Sequence, residues 1–161
     1  MRFIIGLLLG FFIPIAVMQA QQARTNQALP KVINVAQNSA VLEELSNQYQ
    51  SSLFSASDTN FVTTINNWRG FIQSIEQYAE DIDFDIKGVK VWVKVFWAKD
   101  GNVDYIAYVL SDRSINIDII EWEAFLRSFM RNNKLALKYK RGFTYDGRMM
   151  FPLSYRRPSQ K

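Results

Sequence analysis

The sequence contains no cysteine and no histidine. Without cysteine there is no structural disulfide, no thiol nucleophile and no zinc–thiolate site. Without histidine the commonest general base and the commonest transition-metal ligand are both missing, which excludes Ser–His–Asp hydrolysis and His-ligated metal chemistry. Proline is scarce at four residues, too few for a stiff spacer. No Gly-rich phosphate loop, nucleophile elbow or metal-ligand spacing is present. These absences lead us to expect no enzyme activity, no cofactor and no metal.

What is there fits one domain, or a small domain with a helical annex, in 161 residues. Residues 1–20 read as a targeting segment. Arg2 gives a minimal positive start, Phe3 to Met18 is uncharged and strongly apolar, and Ala20 before Gln21-Gln22 offers a cleavage point. The run is slightly short for a spanning helix, which needs roughly 17–25 residues. It is either a cleaved signal peptide or a retained anchor. Both send the domain out of the cytoplasm, to the periplasm or cell envelope, with membrane contact through residues 3–18 if the segment is uncleaved.

Charge is uneven. The formal net charge is +4, yet residues 131–161 carry nine basic side chains against Asp146 alone, while residues 21–130 carry nine basic and fourteen acidic ones. A basic end of this kind is either a solvated surface or a face for an acidic partner, anionic lipid or nucleic acid. Export argues against nucleic acid as that partner.

Residues 21–39 are rich in Gln and Asn and read as a polar tether. Val41, Leu42, Leu45, Tyr49 and Leu53 recur at helical spacing and predict a helix over Ala40–Phe54, with Ser39 as its cap. Phe61, Ile65, Trp68, Ile72, Ile75 and Ala79 predict a second helix over Phe61–Ile82, capped by Asp58 or Asn60. The period then changes from 3.6 to 2. Val89, Val91, Val93, Val95 and Trp97 alternate with Lys90, Trp92, Lys94 and Phe96, so both faces of this strand are at least partly covered. Asp100-Gly101 turns the chain into a second strand, Val103–Leu110. Asp118 and Glu121 form a capping-box-like start to a helix over Ile119–Asn132, with Ile119, Trp122, Leu126 and Phe129 facing inward. A further turn is expected at Asp146-Gly147 and a final edge strand over Met149–Tyr155, since Pro152 lacks a ladder donor. The expected fold is α+β: two N-terminal helices (40–82), then a small antiparallel sheet, hairpin–helix–strand, with one packed helix (83–157), and a basic tail (158–161).

Three stretches sharpen this order: Ile86-Lys87-Gly88-Val89-Lys90-Val91-Trp92-Val93, Ala98-Lys99-Asp100-Gly101-Asn102-Val103, and Gly147-Arg148-Met149-Met150-Phe151-Pro152-Leu153. Over about residues 78–155 the chain resembles the C-terminal domain of TonB-like proteins. That resemblance implies a binding module that adds an extended segment of an outer-membrane protein to its sheet edge. The implied docking strand is Met149, Phe151, Leu153 and Tyr155, flanked by Arg148 and Arg156; these side chains could equally pack the sheet. The proline-rich linker of the classical transducer is absent, and Tyr78-Ala79 stands near the place of its Tyr-Pro pair. We therefore expect an exported, non-enzymatic envelope adaptor that binds a protein or peptide by strand addition. The alternatives are an inner-membrane-anchored energy transducer of the same kind and, disfavoured by the missing histidines, an exported enzyme.

Two constellations could carry chemistry. Asp81, Asp83 and Asp85 resemble the start of a calcium loop, but Ile86 and Trp92 occupy the positions where such a loop needs glycine and an acid. They read as a solvated acidic connection. Glu76 and Glu80 share a helix face, without a cleft that would make them an acid–base pair.

Overall fold

A computed structural model of the chain describes residues 29–115 and 117–153. Its elements run β1 (Val32–Asn34), α1 (Ser39–Gln48), β2 (Ser51–Ser52), α2 (Leu53–Ala56), α3 (Phe61–Asp81), β3 (Lys90–Trp97), β4 (Val103–Leu110), α4 (Ile119–Asn132) and β5 (Phe143–Met150). The targeting segment 1–20, residues 21–28 of the tether, Tyr155, Arg156 and the basic tail lie outside the described residues. Among the described residues no helix is long and apolar enough to cross a membrane.

The chain folds as mixed α and β. Its strands form a single five-stranded sheet in the order β1-β4-β3-β5-β2. The two central ladders, β3–β4 and β3–β5, are antiparallel. The two outer ones, β1–β4 and β2–β5, are parallel. The sheet is therefore mixed, not antiparallel throughout. The cause lies before α3. Val32 and Ile33, within the stretch read as a tether, are buried as β1 against Ile106 and Ala107 of β4.

The expectation of two N-terminal helices also needs correction, because three helical segments precede the hairpin among the described residues. The apolar spacing continues through Tyr49 to Leu53, but the backbone does not. Tyr49 leaves the helix to pack edge-on against Phe96, with ring centroids 5.2 Å apart, and its hydroxyl donates to Asp104 at 2.7 Å. Ser51 and Ser52 then pair with β5, and the Ser52 hydroxyl caps α2 by accepting from the Ser55 N–H.

Local chemistry fixes the longer elements. Asn60 caps α3, its side chain accepting from the Thr63 N–H at 2.9 Å. Asp118 caps α4 by accepting from the N–H groups of Ile120 and Glu121 at 2.8 and 3.1 Å. Gly101 sits at φ +88°, a left-handed conformation that glycine adopts without strain, and the Ala98 N–H donates to the Asn102 carbonyl to close the hairpin.

α3 and α4 cover one face of the sheet. Val91, Val93, Val95, Trp97 and Ile106 meet Trp68, Phe71, Ile75, Trp122, Phe125, Leu126 and Phe129 in the main core. Ile119, expected to face inward, is 48% exposed in the first turn of α4. α1 covers part of the opposite face, where Leu45 joins Ile33, Phe96 and Ala107 in a second cluster.

Asp146-Gly147 is not a turn. β5 pairs with β3 without interruption from Phe143 opposite Trp97 to Met150 opposite Lys90, and Gly147 lies opposite Val93. Among the described residues the glycines at positive φ are Gly88 and Gly101, so Gly147 lacks the backbone conformation that a tight Asp-Gly turn requires.

Candidate functional site

β5 has a free edge. β2 is only two residues long and pairs with Phe143 and Thr144 alone. Beyond them, Tyr145 to Met150 have β3 on one side and, among the described residues, no strand on the other. The ladder phase shows which backbone groups face outward. The Phe151 N–H donates to the Val89 carbonyl at 3.0 Å, and antiparallel pairs alternate between hydrogen-bonded and non-bonded. The odd-numbered residues thus bond to β3, while Asp146, Arg148 and Met150 turn N–H and C=O outward. Among the described residues no backbone hydrogen bond reaches that side. A row of this kind is a ready template for another extended chain.

The side chains expected to dock a partner divide in two. Met149 and Phe151 are each 3% exposed and belong to the main core. Arg148 is exposed. Leu153 is 36% exposed, and its N–H donates to Glu76 Oε1 at 3.1 Å. The alternation places Arg148 and Met150 on the face opposite the core that holds Met149. Sequence reasoning set the final strand at Met149–Tyr155 where it runs from Phe143 to Met150, because the Asp-Gly pair suggested a turn.

The sheet face that carries α1 is only half covered. Beyond Lys94, whose Nζ donates to the Ser46 hydroxyl at 3.2 Å, the face opens into a groove of about 610 Å³. Its floor and rim include Trp92, Val109 and Met150 together with Lys90, Arg113 and Arg148. Trp92 lies opposite both Val109 and Arg148, and Lys90 opposite Met150. Val109 and Met150 are 39% and 59% exposed. The signal for this surface was present in the sequence as the aromatic Trp92 on the strand's second face.

A second concavity, about 300 Å³, lies between the end of α3 and Phe151-Pro152. Glu76, Glu80, Asp83 and Asp85 line it beside Lys87. Among the described residues no group of three or more acidic side chains is placed to hold a metal ion.

Two tyrosines carry the perturbed titrations. Burial, then the hydrogen bond to Asp104, pushes Tyr49 well above the usual phenol range. Burial, then a hydrogen bond to Glu123 at 2.9 Å, does the same to Tyr108. Both phenols are locked as donors to structural carboxylates. What the edge and the groove offer together is backbone donors and acceptors, apolar area and cationic side chains, which is the chemistry of binding.

Comparison with protein-family models, with curated proteins and with solved structures yields no match.

Proposed function

We propose that this protein is an exported, non-enzymatic binding protein of the cell envelope. Its partner is an extended peptide or an exposed segment of an outer-membrane protein, taken up as an added strand along β5. The outward-facing backbone of Asp146, Arg148 and Met150 carries this reading. Main-chain hydrogen bonds give such a site its affinity with little demand on side-chain identity. The resemblance to TonB C-terminal domains points the same way, and β5 returning beside β3 after the hairpin and α4 agrees with it. Export rests on the apolar run Phe3–Met18. The same run favours a second reading, an anchored transducer, if it stays attached. N-terminal sequencing of the exported protein separates the two, since an intact Phe3 excludes the soluble adaptor.

Selection of displayed peptides against the full chain tests strand addition. Arg148→Pro removes an outward donor and leaves the bonds to β3 in place. A selected peptide should bind the folded variant, checked by circular dichroism, about tenfold more weakly, the equivalent of about 1.4 kcal/mol. Undiminished binding would mean that the β5 edge is not the docking site.

A further inference from the structure

The groove on the open half of the sheet face adjoins the β5 edge and shares Arg148 and Met150 with it, but uses their side chains where strand addition uses their backbone. Its floor is apolar, and its three charged lining residues, Lys90, Arg113 and Arg148, are all cations. The one ion pair among the described residues is Glu123–Arg127, so none of these three is paired with a described carboxylate. The segments outside the described residues bring no acidic side chain to them: residues 1–28 hold Arg2 and Arg24, and residues 154–161 hold Arg156, Arg157 and Lys161, with no Asp or Glu in either.

The same face shows what it accepts. α1 lies on its other half with Leu45 buried and Val41 and Leu42 half-buried. Its outward residues include Glu43 and Glu44, and it contains no basic residue. Lys94, the cation of the face on that side, reaches α1 through Ser46. A second amphipathic helix beside α1 would cover Trp92, Val109 and Met150, and acidic residues flanking its apolar stripe would meet the three cations of the rim. A flat bilayer surface fits a concave floor poorly; an apolar helical stripe fills it.

We propose that the groove lined by Trp92, Val109 and Met150 and rimmed by Lys90, Arg113 and Arg148 docks an acidic amphipathic helix from a partner protein. The probe is a stapled, fluorescein-labelled peptide copying residues 38–49, titrated by anisotropy against the full chain. A control peptide carries Glu43→Lys and Glu44→Lys. The acidic peptide should saturate below about 1 mM, and the double variant Lys90→Glu/Arg148→Glu should bind it about tenfold more weakly. The control peptide should prefer that double variant to the unaltered protein. Arg113→Glu lies in a loop outside the sheet and provides a second charge reversal whose folding does not depend on a strand.

Failure to saturate overturns the proposal. So does equal affinity for the unaltered protein and the reversed variants, which is what displacement of α1 by its own copy would give. Vesicles containing about one-third phosphatidylglycerol form the last arm. Charge-dependent binding to them, with no binding of the peptide, would assign the groove to a bilayer and overturn the helix.

Discussion

The Trp68 indole lies against Gly147 so closely that a Cβ on Gly147 would stand 3.1 Å from its ring. The same indole is tilted over Tyr145, with ring centroids 5.0 Å apart. Glycine is therefore used in the middle of β5 for space, so that an aromatic ring from α3 can rest on the strand. Gly147→Val should destabilise the fold by about 1–3 kcal/mol through overpacking. In a Trp68→Ala background, where the ring is gone, the same substitution should cost clearly less. Urea unfolding of the four proteins measures the coupling. Equal costs in both backgrounds would show that Trp68 is not the reason for the glycine.

Gly101 and Gly70 should respond in opposite directions. At Gly101, φ is positive and an added Cβ would collide with the carbonyl oxygens of Leu135 and Leu137. The Leu135 N–H also donates to the Gly101 carbonyl at 2.9 Å, which ties the hairpin turn to the segment after α4. Gly101→Ala should cost about 3 kcal/mol or more. Gly70, inside α3, has open space where its Cβ would stand, and Gly70→Ala should stabilise the protein by about 0.5–1 kcal/mol. Thermal melts of the two variants check both signs.

Tyr49 and Tyr108 make the fold sensitive to alkali. Both phenols have folded values raised above the ordinary tyrosine value of about 10. Their contribution is fully present below that value and is lost as pH rises through the folded values, because the unfolded chain then gives up phenol protons that the folded chain retains. Unfolding free energy should fall above about pH 10, and the Tyr49→Phe/Tyr108→Phe variant should lose part of that fall. In absorbance titration both phenols should ionise late, together with unfolding.

Much of the sheet could be read in the sequence because its central elements are long enough to show a period. The alternation from Val89 to Trp97, the Asp-Gly turn, the return over Val103–Leu110 and the helix Ile119–Asn132 each combine a pattern with a matching cap or turn residue. β1 and β2 span three and two residues, too short to show any alternation, and they sit among Gln, Asn and Ser. The end of α1 was hidden because Tyr49 and Leu53 keep helical spacing while serving different elements, Tyr49 held by Asp104 and Leu53 placed in α2. β5 was displaced in the reading because Gly147 has two physical meanings: positive φ in a turn, or space beneath a ring. Only packing against Trp68 decides between them. Of the expected site, Arg148 could be read as exposed from its charge. The free edge could not, since it exists because β2 stops after Ser52.

Amide hydrogen exchange tests the central claim most directly. In the free protein, Asp146, Arg148 and Met150 should exchange quickly while Tyr145, Gly147 and Met149, bonded to β3, are protected. Adding a selected extended peptide should slow the outward amides by about tenfold or more, with little change at their neighbours. A bound peptide that leaves Asp146, Arg148 and Met150 exchanging at their free rates would contradict strand addition to β5.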